Sequence, residues 1–206
     1  MRLLKQKRNG EKYMEQNSQI SIIESQIREC FGRVAWSHKT QEKCADILNR
    51  RNNKIKILQI VLSAITTTGI MVSVFGDQKW VGIITALIST ILLSLNTYLK
   101  NYDLGQIAQK HVDCASNLWN IRETYLSLLT DIKANAITID EIIQKRDELQ
   151  SKLHNIYQGA PRSTSGAYDK ASKSLKSKEE LTFSDEEIDM FLPKELRKSI
   201  NSQQSV

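Results

Sequence analysis

The sequence predicts an all-α integral membrane protein in which a hairpin of two membrane helices continues into the cytoplasm as long helices. We expect these helices to pair as an antiparallel, coiled-coil-like stalk, followed by a short fold-back helix and a disordered tail. Three observations support this fold: two uncharged segments of twenty residues, a heptad repeat directly after them, and a helix-capping motif further along.

The uncharged segments, Ile57 to Gly76 and Trp80 to Leu99, are separated only by Asp77, Gln78 and Lys79. About 20 apolar residues are what a helix needs to cross the hydrocarbon core of a bilayer. Two buried helices of a soluble bundle are the alternative, but such helices normally carry charges on an outer face. We therefore assign residues 55–76 and 80–99 to transmembrane helices and residues 77–79 to a periplasmic turn.

The charges beside these segments predict the orientation. Residues 1–56 carry 13 Lys or Arg against 6 Asp or Glu, whereas Lys79 is the one basic residue at the turn. Because cytoplasmic flanks are enriched in positive charge, we expect both termini in the cytoplasm. We expect no cleavable signal, since Met1 to Gly10 precedes no apolar run. Cys30, Cys44 and Cys114 should then remain reduced.

Small and polar residues recur on one face of each predicted span, at alternating steps of three and four. Such faces let membrane helices approach closely and hydrogen-bond. If the chain turns at Gln78, partners across the turn should have residue numbers with a constant sum, and a sum of 155 pairs Thr66 with Ser89 and Ile70 with Thr85. The residues expected to pack here are Gln59, Ser63, Thr66, Ser73, Gly82, Thr85, Ser89 and Asn96.

Three threonines lie off this face, and they are our candidates for lining a pore built by several copies: Thr67, Thr90 and Thr97. The alternative is that each hydroxyl bonds its own helix backbone.

The stalk is predicted from residues 20–54 and 100–133. The first is one amphipathic helix that runs into the membrane, and the second has the strongest periodicity of the chain. Its seam consists of Leu104, Ile107, His111, Cys114, Leu118, Ile121, Tyr125, Leu128 and Ile132. Equidistance from the turn pairs Leu128 with Ile27, two apolar residues. Near the middle of the stalk it places Cys114 opposite the polar Gln41, so the apolar pairing is poorer there.

The remaining segments are shorter. Residues 1–19 read as a basic, flexible N-terminus, either solvated or resting on lipid headgroups or a nucleic-acid backbone. Thr138 and Glu141 form a capping box that opens a third cytoplasmic helix over residues 138–158. Residues 159–206 have the composition of a disordered tail, interrupted by a short helical island at residues 184–192.

No catalytic, cofactor or nucleic-acid motif is recognisable, so we expect neither an enzyme nor a specific nucleic-acid binder. The stalk would bring Cys44 near His111, with Cys114 and His38 further along the helices. A zinc site needs ligands that converge, which residues strung over several turns do not obviously do. Small seam residues are the better interpretation, and we predict no metal and no cofactor.

Four short runs resemble the SLATT effector domains: Gly32 to Leu48 (GRVAWSHKTQEKCADIL), Tyr98 to Asp103 (YLKNYD), Gln109 to His111 (QKH) and Asn117 to Tyr125 (NLWNIRETY). The resemblance covers residues 20–157, is nearest to the fifth SLATT family and leaves the tail outside. It implies an effector of a bacterial conflict system that oligomerises into a pore in the inner membrane. It also implies partner proteins that produce or sense nucleotides, or a reverse transcriptase.

The sequence therefore predicts a homo-oligomeric protein of the bacterial inner membrane that compromises the membrane barrier when it is triggered. The competing hypothesis is a membrane-tethered coiled-coil scaffold or sensor that conducts nothing. Both hypotheses use the same periodicities.

Overall fold

The computed structural model describes residues 2–76, 78–193 and 197, with side chains from residue 14 onward except that of residue 17. The basic side chains of residues 1–13, Asp77 of the predicted turn and most of the last thirteen residues thus lie outside the described part. The predicted all-α fold is confirmed, and the described residues contain no strand. Their helices are α1 (Arg2–Phe75), α2 (Lys79–Asn101), α3 (Leu104–Lys133), α4 (Ile139–Gly159), α5 (Ser165–Ser177) and α6 (Asp185–Phe191).

Helix α1 is a single helix of 74 residues, which at 1.5 Å per residue is about 110 Å long. Its backbone is helical from Arg2, where the sequence predicted a flexible segment. The helix also passes through Gly32 and through the polar stretch from Arg50 to Lys54 without a break. The physical reason is that α1 contains no proline, the first being Pro161, so no residue inside the helix lacks the backbone N–H that the helix needs.

Helices α1 and α2 form an antiparallel hairpin joined by a tight turn. The amide of Gly76 donates to the Val72 carbonyl at the end of α1, and the amide of Val81 donates to the Gln78 carbonyl at the start of α2. Met14–Phe75 and Lys79–Lys133 are two helical stretches long and apolar enough to cross a membrane. Their apolar side chains point outward, as the 70% exposure of Ile60 and the 66% exposure of Leu93 show.

A break separates α2 from α3 directly after the second span, where the sequence predicted continuous helix. Helix α2 ends at Asn101, and the Asp103 side chain caps α3 by accepting a hydrogen bond from the Gln106 amide at 2.9 Å. An aspartate that can cap the next turn competes with helix continuation, which explains the break. Helix α1 remains intact beside it, with the Asn52 amide next to Gly105.

The stalk consists of α1 and α3, with α4 folded back against its far end. Buried Ile27, Val34, Leu118 and Tyr125 belong to its core, and Ile142 and Leu149 of α4 belong to the same cluster. The predicted capping box of Thr138 and Glu141 is confirmed. The hydroxyl of Tyr157 donates to the Ser37 hydroxyl at 2.9 Å and ties the end of α4 to α1.

Helix α5 contradicts the expectation of a disordered tail from residue 159. Ala167, Ala171 and Ser174 are buried on one face of α5, because their small side chains let it lie close against α1. The Trp36 ring of α1 contacts the Tyr168 ring, with centroids 5.4 Å apart. The Lys176 ammonium also lies over the Trp36 ring, 5.4 Å from its centroid. The short island is present as α6, which begins with the predicted capping box of Ser184 and Glu187.

Candidate functional site

The closest approach between the two spans involves small residues. A Cβ atom added to Gly69 would overlap the Thr85 hydroxyl, and one added to Gly82 would lie 2.7 Å from the Ser73 hydroxyl. Glycine at both positions therefore permits the close packing of α1 against α2. Thr85 is only 5% exposed, and Thr66 is also buried in this contact.

At the end of the spans nearest the stalk, an amide pair links the two helices. The side chain of Gln59 donates from Nε2 to Oδ1 of Asn96 at 2.5 Å. In hydrocarbon, where water cannot satisfy an amide, such a bond is the main alternative to an unpaired polar group. The two residue numbers sum to 155, which is the pairing that the turn geometry predicts.

The remaining predicted packing residues are distributed differently. Ser63 and Ser89 are exposed, so they lie at the edge of the contact rather than inside it. Ile70 is also exposed, and Gly69 takes the place opposite Thr85 that the sequence assigned to Ile70. The sequence pattern of polar residues did not include Gly69. The glycine was the available signal, because the closest approach of two helices favours the residue without a side chain.

A groove of about 560 Å³ opens on the side of the hairpin, next to the Gln59–Asn96 pair. Its lining combines polar and apolar side chains: Gln59, Ile60, Ser63, Ala64, Thr67, Leu92 and Asn96. Polar groups thus face outward from the hairpin at the level of the spans. One of the three candidate pore-lining threonines, Thr67, belongs to this groove.

All three of those threonines hydrogen-bond to their own helix. The hydroxyls of Thr67, Thr90 and Thr97 donate to the carbonyls of Ser63, Ala86 and Leu93, at 3.0, 3.0 and 2.9 Å. This is the arrangement that the alternative interpretation describes. Their side chains are nevertheless exposed on the hairpin surface.

In the stalk, the predicted seam residues face α1. All are buried except Ile107, which is half-buried while its neighbour Ala108 is fully buried. The buried set is Leu104, His111, Cys114, Leu118, Ile121, Tyr125, Leu128 and Ile132. Burial and the nearby Cys30 thiol raise the pKa of Tyr125 to about 12, so its hydroxyl stays protonated.

The middle of the stalk contains a chain of buried polar groups. Nδ1 of His111 donates to Oε1 of Gln41, and Nε2 of Gln41 donates to the Pro161 carbonyl at 3.2 Å. Nearby, Nδ1 of His38 donates to the Ala115 carbonyl at 2.9 Å. Burial lowers the pKa of His111, which favours the neutral ring.

Through these hydrogen bonds, His111 and His38 hold α1 and α3 together in the stalk. Gln41 contacts His111, whereas equidistance from the turn placed it opposite Cys114. Within the part of the chain that the structure describes, no group of three or more His, Cys, Asp or Glu side chains could hold a metal ion. Burial raises the pKa of the Cys114 thiol, which favours its protonated form.

The segment after α5 is fastened to α1 by ion pairs that the sequence did not predict. One Glu180 oxygen lies 2.8 Å from the Lys39 ammonium and 3.6 Å from that of Lys43. Hydrogen bonds from Lys39 and Ser174 lower the pKa of Glu180 to about 2. Burial opposes the charge of Lys39, but its bonds to Glu180 and Glu42 outweigh that effect and raise its pKa. We call these residues the Glu180 cluster.

A second groove, of about 610 Å³, lies between α1 and α3 beside the Glu180 cluster. His38, Lys39 and Lys43 line the side formed by α1, Trp119 lines the side formed by α3, and Leu181 also belongs to the lining. The Arg122 guanidinium sits 4.6 Å from the Trp119 ring centroid and 5.4 Å from that of Phe31. Stacking between two rings fixes this buried cation in place.

Comparison with known proteins gives one family. No curated protein and no solved structure matches the chain. A family model described as SMODS and SLOG-associating 2TM effector domain family 4 matches residues 23–187. The expected assignment to the fifth SLATT family is thus wrong, and the domain extends past residue 157 to include α5. With two membrane helices and a match over most of its length, the chain belongs to family 4 of the two-transmembrane SLATT effector domains.

Proposed function

We propose that this protein is an inner-membrane effector of a bacterial conflict system, which oligomerises and compromises the membrane barrier when triggered. The family membership supports the effector role. The observation that carries the membrane activity is the polar groove on the hairpin, because Ser63 and Thr67 face outward among apolar side chains.

Oligomerisation follows from the energetics of that groove. Polar groups at the level of the hydrocarbon core are costly to leave facing lipid, and neighbouring helices commonly cover them. A second copy placed over the groove would bury the Gln59–Asn96 pair and supply apolar surface to Ile60 and Leu92. A ring of such contacts, each covering one groove, would build the oligomer that the proposed pore requires.

The proposed orientation places both termini in the cytoplasm. The basic residues flanking the spans support it, since they lie almost entirely on the side of the chain termini: Lys39, Lys43, Arg50, Arg51, Lys54, Lys56, Lys100 and Lys110. The stalk and α5 would then face the compartment in which a signal is made. Nucleotide-sensing proteins or a reverse transcriptase are the partners we propose as its source.

We propose that the stalk controls the spans through α1. Because α1 has no break between the stalk and its span, a rotation of its cytoplasmic part turns Gln59 and Thr67 as well. The break at Tyr102 and Asp103 lets α2 follow with less constraint. Repacking around His111 and Gln41 would thus be converted into a new arrangement of the grooves.

Inducible expression with membrane-potential and dye-uptake readouts tests this function. Ser63→Leu fills the groove, so it should abolish depolarisation, whereas Ser94→Leu is the matched control because Ser94 is exposed outside the groove. Immunoblots of membrane fractions verify equal insertion. An unchanged potential for the unaltered protein under every triggering condition would reject the pore and favour the non-conducting scaffold.

A further inference from the structure

We propose that a pocket between α1 and α5 binds a phosphate group, carried by an anionic phospholipid or by a soluble phosphate compound. The pocket has a volume of about 210 Å³. A cavity of this size has room for a phosphate together with an attached organic fragment. We call it the basic pocket, and its lining residues are Lys43, Asp46, Ile47, Arg50, Lys170, Lys173, Ser174 and Lys178.

The charges of the basic pocket favour an anion. Five cationic side chains surround it, and Asp46 is the one carboxylate among the lining residues. Lys43 shares Glu180 with Lys39. Within the described residues, no ion pair joins Lys170, Lys173 or Lys178 to a carboxylate.

The docking of α5 creates this concentration of charge. Ala167 and Ala171 are buried against α1, and this contact brings three lysines of the α5 region beside Lys43 and Arg50. Like charges held this close repel one another, so the free pocket opposes the docking of α5. A phosphate would relieve this repulsion, and its oxygens accept several charge-assisted hydrogen bonds from lysine and arginine.

The basic pocket is also anchored at its base. Ser174 is 4% exposed, and its side chain hydrogen-bonds with Glu180, which is in turn held by Lys39. These contacts fix the C-terminal part of α5 relative to α1. The pocket therefore exists before any ligand arrives, which lowers the entropy cost of binding.

The position of the pocket suits a lipid headgroup as well as a soluble ligand. Arg50 lies seven residues before Ile57, a rise of about 10 Å along α1. The headgroup layer is roughly 5 to 8 Å thick, so the long side chain of Arg50 reaches it. Lys43, further from the membrane, faces the aqueous side. This geometry assumes the membrane placement of the proposed function, whereas binding of soluble phosphate does not.

The test uses the full chain in phosphatidylcholine nanodiscs. In one arm, pyrophosphate is titrated and its affinity is measured by calorimetry. In the other arm, phosphatidylglycerol is added to the bilayer, and hydrogen exchange of residues 165–177 is measured without soluble phosphate. Pyrophosphate binding identifies a soluble source, and slower exchange with phosphatidylglycerol identifies a lipid source.

The test variant combines Lys170→Gln, Lys173→Gln and Lys178→Gln. The control variant combines Lys133→Gln, Lys152→Gln and Arg162→Gln, which removes the same charge from exposed positions outside the basic pocket. In whichever arm the unaltered protein responds, the affinity for pyrophosphate or the slowing of exchange by phosphatidylglycerol should fall about tenfold or more in the test variant. In the control variant the same quantity should stay within about twofold of the unaltered protein. Equal weakening in both variants, or no response of the unaltered protein in either arm, overturns the proposal.

Asp46→Asn provides an independent measurement that does not depend on the lysine variants folding. Removing the one carboxylate of the basic pocket should tighten pyrophosphate or phosphatidylglycerol binding about threefold, because its repulsion of the ligand is lost. An affinity unchanged or weakened by Asp46→Asn contradicts the proposal. Because none of these variants touches the groove on the hairpin, membrane depolarisation is measured separately, and either proposal can fail alone.

Discussion

At the residue scale, glycines decide how closely the two spans pack. Gly69 lies against Thr85, and an added methyl group would overlap the Thr85 hydroxyl. A methyl group added to Gly32, in the same helix, would meet no obstructing atom of the described residues within 4 Å. The same substitution should therefore have opposite effects at the two sites.

We predict that Gly69→Ala destabilises the protein by about 1 to 3 kcal/mol through overpacking. Gly32→Ala should stabilise it by about 0.5 to 1 kcal/mol, because alanine loses less backbone entropy in a helix. Unfolding in detergent by denaturant titration measures both changes. Adding Thr85→Ala to Gly69→Ala should recover part of the loss, and a failure to recover any would argue against direct contact between Gly69 and Thr85.

His111 makes the middle of the stalk sensitive to acid. Burial lowers its pKa in the folded protein, whereas an unfolded histidine titrates near 6.5. Its contribution is therefore fully present above about pH 6.5 and is lost as the pH falls through the folded value. We predict a lower unfolding temperature at about pH 5 than at about pH 7.5.

His111→Gln should flatten this pH dependence, because glutamine does not titrate. His154→Gln is the control, since His154 is exposed on α4 and its loss should leave the dependence intact. Differential scanning calorimetry across the pH range provides the measurement. Identical curves for the two variants would assign the acid sensitivity to another group.

At the element scale, α5 shows which parts of the fold the sequence predicts. The heptad seam could be predicted because eight large or aromatic side chains repeat at regular steps along α3, and most of them are buried. Helix α5 was missed because Ala167, Ala171 and Ser174 form its buried face, and small residues add little to hydrophobic periodicity. Their spacing of four and three was the available signal.

The hairpin register was predictable over the spans and less so in the stalk. Gln59 meets Asn96 as equidistance from the turn requires, because both helices are regular there. Beyond the break at Asp103 the register changes, and Gln41 meets His111. A sequence rule based on one turn cannot anticipate a second interruption of the helix. The Glu180 cluster could not be predicted from sequence patterns either, since it joins residues about 140 positions apart in the chain.

The Glu180 cluster should control how firmly α5 is held. We predict that Glu180→Gln increases hydrogen exchange of residues 165–177, because the ion pairs with Lys39 and Lys43 are lost. Glu179→Gln is the matched control at the neighbouring position, where no ion pair is seen within the described residues. Hydrogen exchange of peptides covering α5, followed by mass spectrometry, should be faster in Glu180→Gln and unchanged in Glu179→Gln.

Acid gives a second test of the Glu180 cluster. Its carboxyl pKa is lowered to about 2, so its stabilising contribution is complete above the ordinary value of 4.5 and is lost between these values. Mild acid should therefore leave the Glu180 cluster intact. Release of α5 at about pH 5.5, before the carboxyl titrates, would contradict this assignment.

At the scale of the whole molecule, the two spans connect differently to the stalk. Helix α1 passes from stalk to span without interruption, whereas α2 and α3 are separate helices. A proline in α1 at the membrane boundary would create a matching interruption. It removes one backbone hydrogen bond and costs about 3 kcal/mol in a helix interior.

We predict that Arg51→Pro abolishes the depolarisation that the proposed function expects on triggering, because motion of the stalk no longer reaches the first span. Asp103→Pro is the control, since its φ of −72° is one that proline adopts and the helix is already broken there. It should keep most activity and lose about 1 kcal/mol from the missing cap. Equal activity of both variants at equal membrane abundance would exclude control through α1.

The tight turn between the spans also bears on how the protein reaches the bilayer. Helix α1 ends at Phe75 and α2 begins at Lys79, so the connection is too short for one span to leave the translocation machinery while the other waits. The amides of Gln59 and Asn96 satisfy each other only when both spans are present. Biogenesis should therefore deliver the hairpin to lipid as one unit, and a chain truncated before α2 should be retained or degraded instead of inserting stably.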